Sequence, residues 1–224
     1  MTEVSALIPV RSGSQRVPNK NEQSIGEYSL LESCIRRLQQ ADSVDRVIVG
    51  TDSESLAKIA TDAGAEVVYR DAECCDESVA SANMMIADFV SKVHTDVVMW
   101  AHCTNPFVQT ETYESAIKTF FEEQDNGYDS LVSVMKVQEH LWSPDRKPFN
   151  YDPYQERHPL ASELPTYYKQ TGAFFVQEHT TMKRNKYFFA NRPFLFTTTE
   201  LESVDINTPY DLEMARALQQ HFNL

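Results

Sequence analysis

Three cations and no acid occupy one short segment, Pro9-Val10-Arg11-Ser12-Gly13-Ser14-Gln15-Arg16-Val17-Pro18-Asn19-Lys20-Asn21. Ser12, Gly13 and Ser14 place little bulk between backbone and ligand, so their amides can come close to one. Arg11, Arg16 and Lys20 add full positive charges around those amides, and Asn21 adds a side-chain amide. Amide donors combined with guanidinium and ammonium groups are the chemistry of a polyphosphate cradle. The chain as a whole carries a formal net charge of -13, so this loop works against the global field.

Such a loop needs a rigid support, and the apolar pattern supplies one. Residues 4–10 form an apolar run that predicts a buried strand, and 28–40 carry apolar residues at helical spacing. Strands are expected at 46–49, 66–69, 96–100, 130–137, 173–176 and 194–197. Helices are expected at 53–63, 81–93, 110–123 and 209–220. Ser53 and Thr208 are N-cap candidates, Gly64 is a stop signal, and Pro209 suits a first helical position. This alternation predicts an α/β, Rossmann-like fold, a mostly parallel sheet with helices on both faces. Ligands of such sheets bind at the carboxyl ends of the strands, which is where the cationic loop lies. Residues 140–168 break the pattern with five prolines and six aromatic side chains. A single domain spanning 1–224 with an inserted lid or dimerisation arm at 140–168 is expected.

Composition narrows the partners. Hydrophobic residues make up 42% and charged residues 24%, ordinary values for a soluble globular protein. The acidic balance argues against nucleic acid and against anionic membrane surfaces. No apolar run reaches the roughly 18 residues of a membrane span, and the N-terminus lacks signal-peptide features. Four cysteines (Cys34, Cys74, Cys75, Cys103) show no metal spacing, and a reduced, cytoplasmic protein is expected.

The 9–21 segment resembles the P-x-R-x-x-S-K-x-x-P-x-K-N signature of the CMP-sialic acid synthetase family, cytidylyltransferases that activate acidic sugars. Four further places are similar, in the same order. They are Val68-Tyr69-Arg70, Cys103-Thr104-Asn105-Pro106-Phe107, Thr171-Gly172-Ala173-Phe174 and Ser203-Val204-Asp205-Ile206-Asn207-Thr208. The resemblance implies the nucleotide-diphospho-sugar transferase version of the fold and transfer of CMP from CTP to a sialic or related nonulosonic acid, with release of pyrophosphate. It also implies a homodimer joined by the arm.

On this resemblance Arg11 and Lys20 grip the triphosphate, with Ser12, Gly13, Ser14, Arg16 and Asn21 around them. The family's lysine is Gln15 here, and neighbouring Arg16 stands in for it. Asp205 is the candidate ligand for Mg²⁺, a hard ion that suits carboxylates. The family's second aspartate is Asn207, a weaker oxygen ligand; helix-entry turn chemistry is the other reading of this pair. Arg70 either contacts cytosine or pairs with Asp71 or Glu73. Ser81 either touches the nucleotide or only caps its helix. The acceptor side, His102, Thr104, Asn105, Lys169, Thr171 and Gly172, departs most from the family. His102 replaces a glutamine and Thr171 an asparagine. The family's R-Q-x-L-P arm becomes Ser162-Glu163-Leu164-Pro165, without its arginine, for which Arg157 or Lys169 are the candidate substitutes. His102 is open to three roles: donor to the acceptor, general base, or structural residue. A phosphonate acceptor and a non-catalytic nucleotide-binding homologue are the alternatives.

Overall fold

The computed structural model describes residues 2–76 and 78–222. In chain order the elements are β1 (Val4–Pro9), a hairpin of β2 (Ser24–Ile25) and β3 (Tyr28–Ser29), α1 (Leu30–Gln39), β4 (Arg46–Thr51), α2 (Glu54–Asp62), β5 (Glu66–Tyr69) and α3 (Ala72–Cys75). There follow α4 (Ala82–Ser91), β6 (Val97–Ala101), α5 (Thr110–Gln124), β7 (Ser130–Val137), β8 (Tyr167–Glu178), α6 (His179–Asn185), β9 (Pro193–Thr197) and α7 (Pro209–Phe222). Seven strands form one sheet in the order β5-β4-β1-β6-β8-β7-β9. Neighbours among β5, β4, β1 and β6 are parallel, β8 runs antiparallel to both β6 and β7, and β9 is parallel to β7.

Alternating side chains of the central strands feed two separate cores, as the two-residue period of a strand requires. Ala6, Ile8, Met99 and Ala101 join Leu31, Ile35, Leu56 and Phe120 on one face. Leu7, Val98 and Trp100 join Ile86, Phe89 and Met182 on the other. Burial on both faces explains why β1 and β6 read as continuous apolar runs. Ser29, Ser53 and Ser81 each accept the backbone N–H three residues on and cap α1, α2 and α4. Thr208 and Asp211 form a reciprocal cap at α7, since the Thr208 hydroxyl accepts from Asp211 N and the Asp211 carboxylate accepts from Thr208 N.

A third apolar cluster has a different duty. Val17, from the cationic loop, is buried with Ile206, Phe107, Ile25, Leu30, Leu212 and Ala215. Val17 and Ile206 are 2% and 0% exposed, so each contributes about 1.5–3 kcal/mol of burial. That contact clamps the cationic loop against the acidic turn before α7.

Several elements depart from the periodicity reading. The strand expected at 173–176 extends over twelve residues, because its first half pairs with β7 across a bulge at Val132/Val134. The β2–β3 hairpin and the helices α3 and α6 are too short to set a period. Between β7 and β8 the chain holds an isolated Trp142–Pro148 bridge and a 3₁₀ turn at Ala161–Glu163. No helix among the described residues is long and apolar enough to cross a membrane.

Candidate active site

Strand order reverses direction at β1, whose neighbours β4 and β6 lead the chain to opposite sides. A crevice opens at the carboxyl ends of strands at such a point. A cavity of about 430 Å³ lies there, lined by the loop after β1, the turn after β6 and the turn before α7. Arg11, Ser14, Gln15, Arg16, Lys20 and Asn21 come from the first, His102, Thr104 and Asn105 from the second, and Asp205 and Asn207 from the third. Arg70 and Gly172 complete the wall, and a neighbouring hollow of about 200 Å³ shares Arg11 and Arg70 with it and carries Ser81. The volume suits a small polar ligand of nucleotide size.

The loop and the acidic turn are tied by hydrogen bonds as well as by Val17 and Ile206. Lys20 Nζ donates to the Ile206 carbonyl at 3.0 Å, and Arg16 donates to Asn207 Oδ1 at 3.2 Å. Asn207 Nδ2 in turn donates to Asp205 Oδ2 at 2.5 Å. The Ile206 N–H donates to the Thr104 carbonyl at 3.0 Å, which joins the turn to the end of β6. Burial alone would raise the Asp211 carboxyl, but the Asn207 N–H and the Thr208 hydroxyl and N–H outweigh it and hold it below the ordinary value. Asp211 therefore stays ionised and anchors the turn.

Several residues expected to touch ligand are committed elsewhere. Ser12 gives its N–H and its hydroxyl to the Asp52 carboxylate, each at 2.9 Å, and with Gly13 lines a small separate hollow. The proximity of Asp52 follows from the β1–β4 pairing, which no local spacing reveals. Asn21 spends both ends of its amide, donating to the Arg11 carbonyl and accepting from Cys103 Sγ. It locks the loop to β6 and so shapes the cavity it borders. Ser81 caps α4 and faces the neighbouring hollow.

On the acceptor side the structure brings only part of the expected set to the cavity. His102 accepts from the Trp100 indole N–H at Nε2 and shares a 2.5 Å contact between Nδ1 and the Gly172 carbonyl. The tautomer follows, because Nδ1 must carry the proton. Burial lowers its pKa below the ordinary value, so the ring is neutral with both nitrogens used. Of its three expected roles, these contacts favour the structural one. Thr171 turns its hydroxyl inward to Ser133, at 2.8 Å from Oγ, and is buried away from the cavity. Lys169, on the exposed first half of β8, and Arg157, paired with Glu163 at 2.6 Å, do not line the cavity. Thr104, Asn105 and Gly172 do line it.

Arg70 lies in the wall but is held from behind. Its guanidinium pairs at 3.4 Å with Asp88, the two side chains being 1% and 3% exposed, and donates to the Cys74 carbonyl. Asp88 also binds Lys92 at 2.6 Å, which in turn binds Asp71. The partner is thus Asp88 rather than Asp71 or Glu73. The signal in the sequence was a lone acid on the apolar face of α4, between Ile86 and Phe89. Asp71, Cys74 and Asp88 are the one group of three potential metal ligands among the described residues, and Arg70 and Lys92 already pair with its two carboxylates.

The chain is 27% identical over 229 residues to CMP-N,N'-diacetyllegionaminic acid synthase of Legionella pneumophila, covering 97% of this chain and 96% of that protein. It is 26% identical over 238 residues to N-acylneuraminate cytidylyltransferase of Escherichia coli O18:K1:H7, covering 99% of this chain but only 53% of that longer protein. A solved CMP:2-keto-3-deoxy-manno-octonic acid synthetase in complex with CTP superposes with a TM-score of 0.73 at 16% identity, covering 99% and 100% of the two chains. A 4-diphosphocytidyl-2C-methyl-D-erythritol synthase from Anaerococcus prevotii gives 0.70 at 12% identity, covering 98% and 96%. With the cytidylyltransferase family model matching residues 5–223, the chain belongs to that family.

Proposed function

We propose that this protein transfers CMP from CTP to an acidic sugar of the nonulosonic class, releasing pyrophosphate. The observation that carries the reading is the gathering of Arg11, Arg16, Lys20 and Asp205 in one cavity. An acceptor hydroxyl oxygen forms a bond to the α-phosphorus, and the bond from that phosphorus to the bridging oxygen of pyrophosphate breaks. Such a step needs alignment and charge neutralisation rather than a covalent protein intermediate. Arg11, Arg16 and Lys20 bind the phosphates and offset charge on the departing pyrophosphate. The acceptor proton goes to a base other than His102, whose nitrogens are both bonded. The relatives' names support the acceptor class, since legionaminic and neuraminic acids are both acidic sugars.

Magnesium fits the donor set. Mg²⁺ takes one or two carboxylates, with phosphate and water oxygens for the rest, and Asp205 supplies one carboxylate on the cavity wall. Asp205 would hold the ion, which when bound neutralises phosphate charge. The Trp142, Phe149, Tyr154 and Leu160 side chains are 56–93% exposed on the arm, and a second copy of the chain would cover them in a homodimer. Four unpaired cysteines accord with a cytoplasmic setting. A phosphonate acceptor is the second reading, since the arm has Ser162-Glu163-Leu164-Pro165 and lacks the family arginine that would meet a sugar carboxylate.

The test is pyrophosphate release from CTP and Mg²⁺ against a panel of nonulosonic acids and phosphonates. Turnover is expected with a nonulosonic acid, and Asp205→Ala is expected to lower it by at least about 100-fold. CTP binding without turnover on any acceptor would mark a non-catalytic homologue, and near-normal activity of Asp205→Ala would remove Asp205 from the mechanism.

A further inference from the structure

We propose that Asn207 is a positioning residue for Arg16 and not a metal ligand. Its amide orientation is dictated from both ends. Arg16 can only donate, so the atom facing it is oxygen, 3.2 Å away. The Asp205 carboxylate can only accept, so the atom facing it is nitrogen, 2.5 Å away. The reverse orientation would set two donors together and two oxygens together. A hard cation binds oxygen alone, and the only oxygen of this side chain is spent on a guanidinium that would repel the ion.

The turn itself is pinned, so the amide has little freedom to swing away. The Asn207 N–H donates to Asp211 at 3.0 Å, and its neighbour Ile206 is held through Lys20 and Thr104. Arg16 is otherwise an exposed side chain on a loop. Fixed by Asn207, its fork stands on the cavity wall beside Asp205, where it can engage two phosphate oxygens at once. An aspartate at 207 would pair with Arg16 and neutralise it. The amide holds the guanidinium while leaving its charge whole for the nucleotide.

This inference rests on the cytidylyl-transfer reading, and its test separates the two. Mn²⁺, observed by electron paramagnetic resonance, is titrated with CTP and no acceptor into wild type, Asn207→Ala, Arg16→Ala and the double variant. CTP affinity and steady-state KM are measured in parallel. Asn207→Ala is expected to keep Mn²⁺ affinity within a few-fold of wild type while weakening CTP. Arg16→Ala is expected to weaken CTP by about 10- to 100-fold, the value of one charge-assisted contact. The double variant should be no worse than Arg16→Ala, since Asn207 acts through that side chain. Asn207→Asp, nearly isosteric, should raise Mn²⁺ affinity and still weaken CTP. Loss of Mn²⁺ affinity by about tenfold or more in Asn207→Ala, on the scale of removing a metal contact, would overturn the inference alone. So would independent, multiplying effects of the two substitutions. A wild type that binds no Mn²⁺·CTP would overturn the transfer reading and this inference with it.

Discussion

Gly50 is the position where one methyl group should disturb both fold and site. It lies near the end of β4, in register with Pro9 of β1 on one side and Val68 of β5 on the other, so its backbone cannot retreat. A Cβ built there would stand 2.7 Å from Cε1 and Cζ of Phe89 and 2.8 Å from Cδ of Arg70. Phe89 cannot give way easily, being fully buried and edge-to-face with Trp100 at 5.7 Å. Overpacking of this kind costs about 1–3 kcal/mol. Gly→Ala recovers about 0.4–1 kcal/mol by restricting the unfolded chain, which leaves a net loss of roughly 1–2 kcal/mol. At about 2–4 °C per kcal/mol for a chain of this size, Gly50→Ala should lower Tm by roughly 2–8 °C. The softer of the two obstacles is Arg70, whose displacement from Asp88 should raise the KM for CTP. Thermal unfolding and CTP kinetics on the purified variant test both effects. A Tm equal to or above wild type, with unchanged KM, would show that the strand accommodates the methyl and that Arg70 is not held as described.

Asp88→Asn leaves the buried Arg70 without its counter-charge, and loss of one partner of a buried pair costs about 3–5 kcal/mol. A urea midpoint matching wild type would contradict that role. His102 has a folded-state pKa below its ordinary 6.5, so its contribution to stability is complete above that value and declines as pH falls below it. Tm should therefore drop between pH 7 and 5, and His102→Gln, which keeps one donor and one acceptor, should reduce that drop; an equal drop in the variant would refute the assignment. Trp142→Glu together with Phe149→Glu should convert the proposed homodimer to monomer in light scattering at micromolar concentration, and a wild-type monomer would refute the arm's role.

The order of strands and helices was legible because burial leaves a strong mark. Ala6, Ile8, Met99 and Ala101 face one core and Leu7, Val98 and Trp100 the other, so β1 and β6 are apolar throughout. Caps were equally readable at Ser53, Ser81 and Thr208, since N-capping depends on residues three positions apart. The cationic loop and Asp205 were legible as a pair only through motif order, and the physical reason they meet is the apolar clamp of Val17 on Ile206. Neither valine nor isoleucine carries any chemical signal of a phosphate site.

The direction of each polar side chain was not legible, for a reason that Ser12, Asn21, His102 and Thr171 share. A hydroxyl, an amide or an imidazole at a strand end has the same composition whether it meets ligand or backbone. What decides is the neighbouring strand. Asp52 reaches Ser12 because β4 lies beside β1, Ser133 reaches Thr171 because β7 lies beside β8, and Gly172 reaches His102 because β8 lies beside β6. In each case a potential ligand contact becomes a support for one. Charge behaves differently: Arg16 donates to Asn207 Oδ1 and Lys20 to the Ile206 carbonyl, and both side chains still line the cavity. Arg11, Arg16 and Lys20 all border the cavity even though several of the expected hydrogen bonds are turned inward. The proposed grip on a polyphosphate rests on these cations rather than on the small polar residues of the loop.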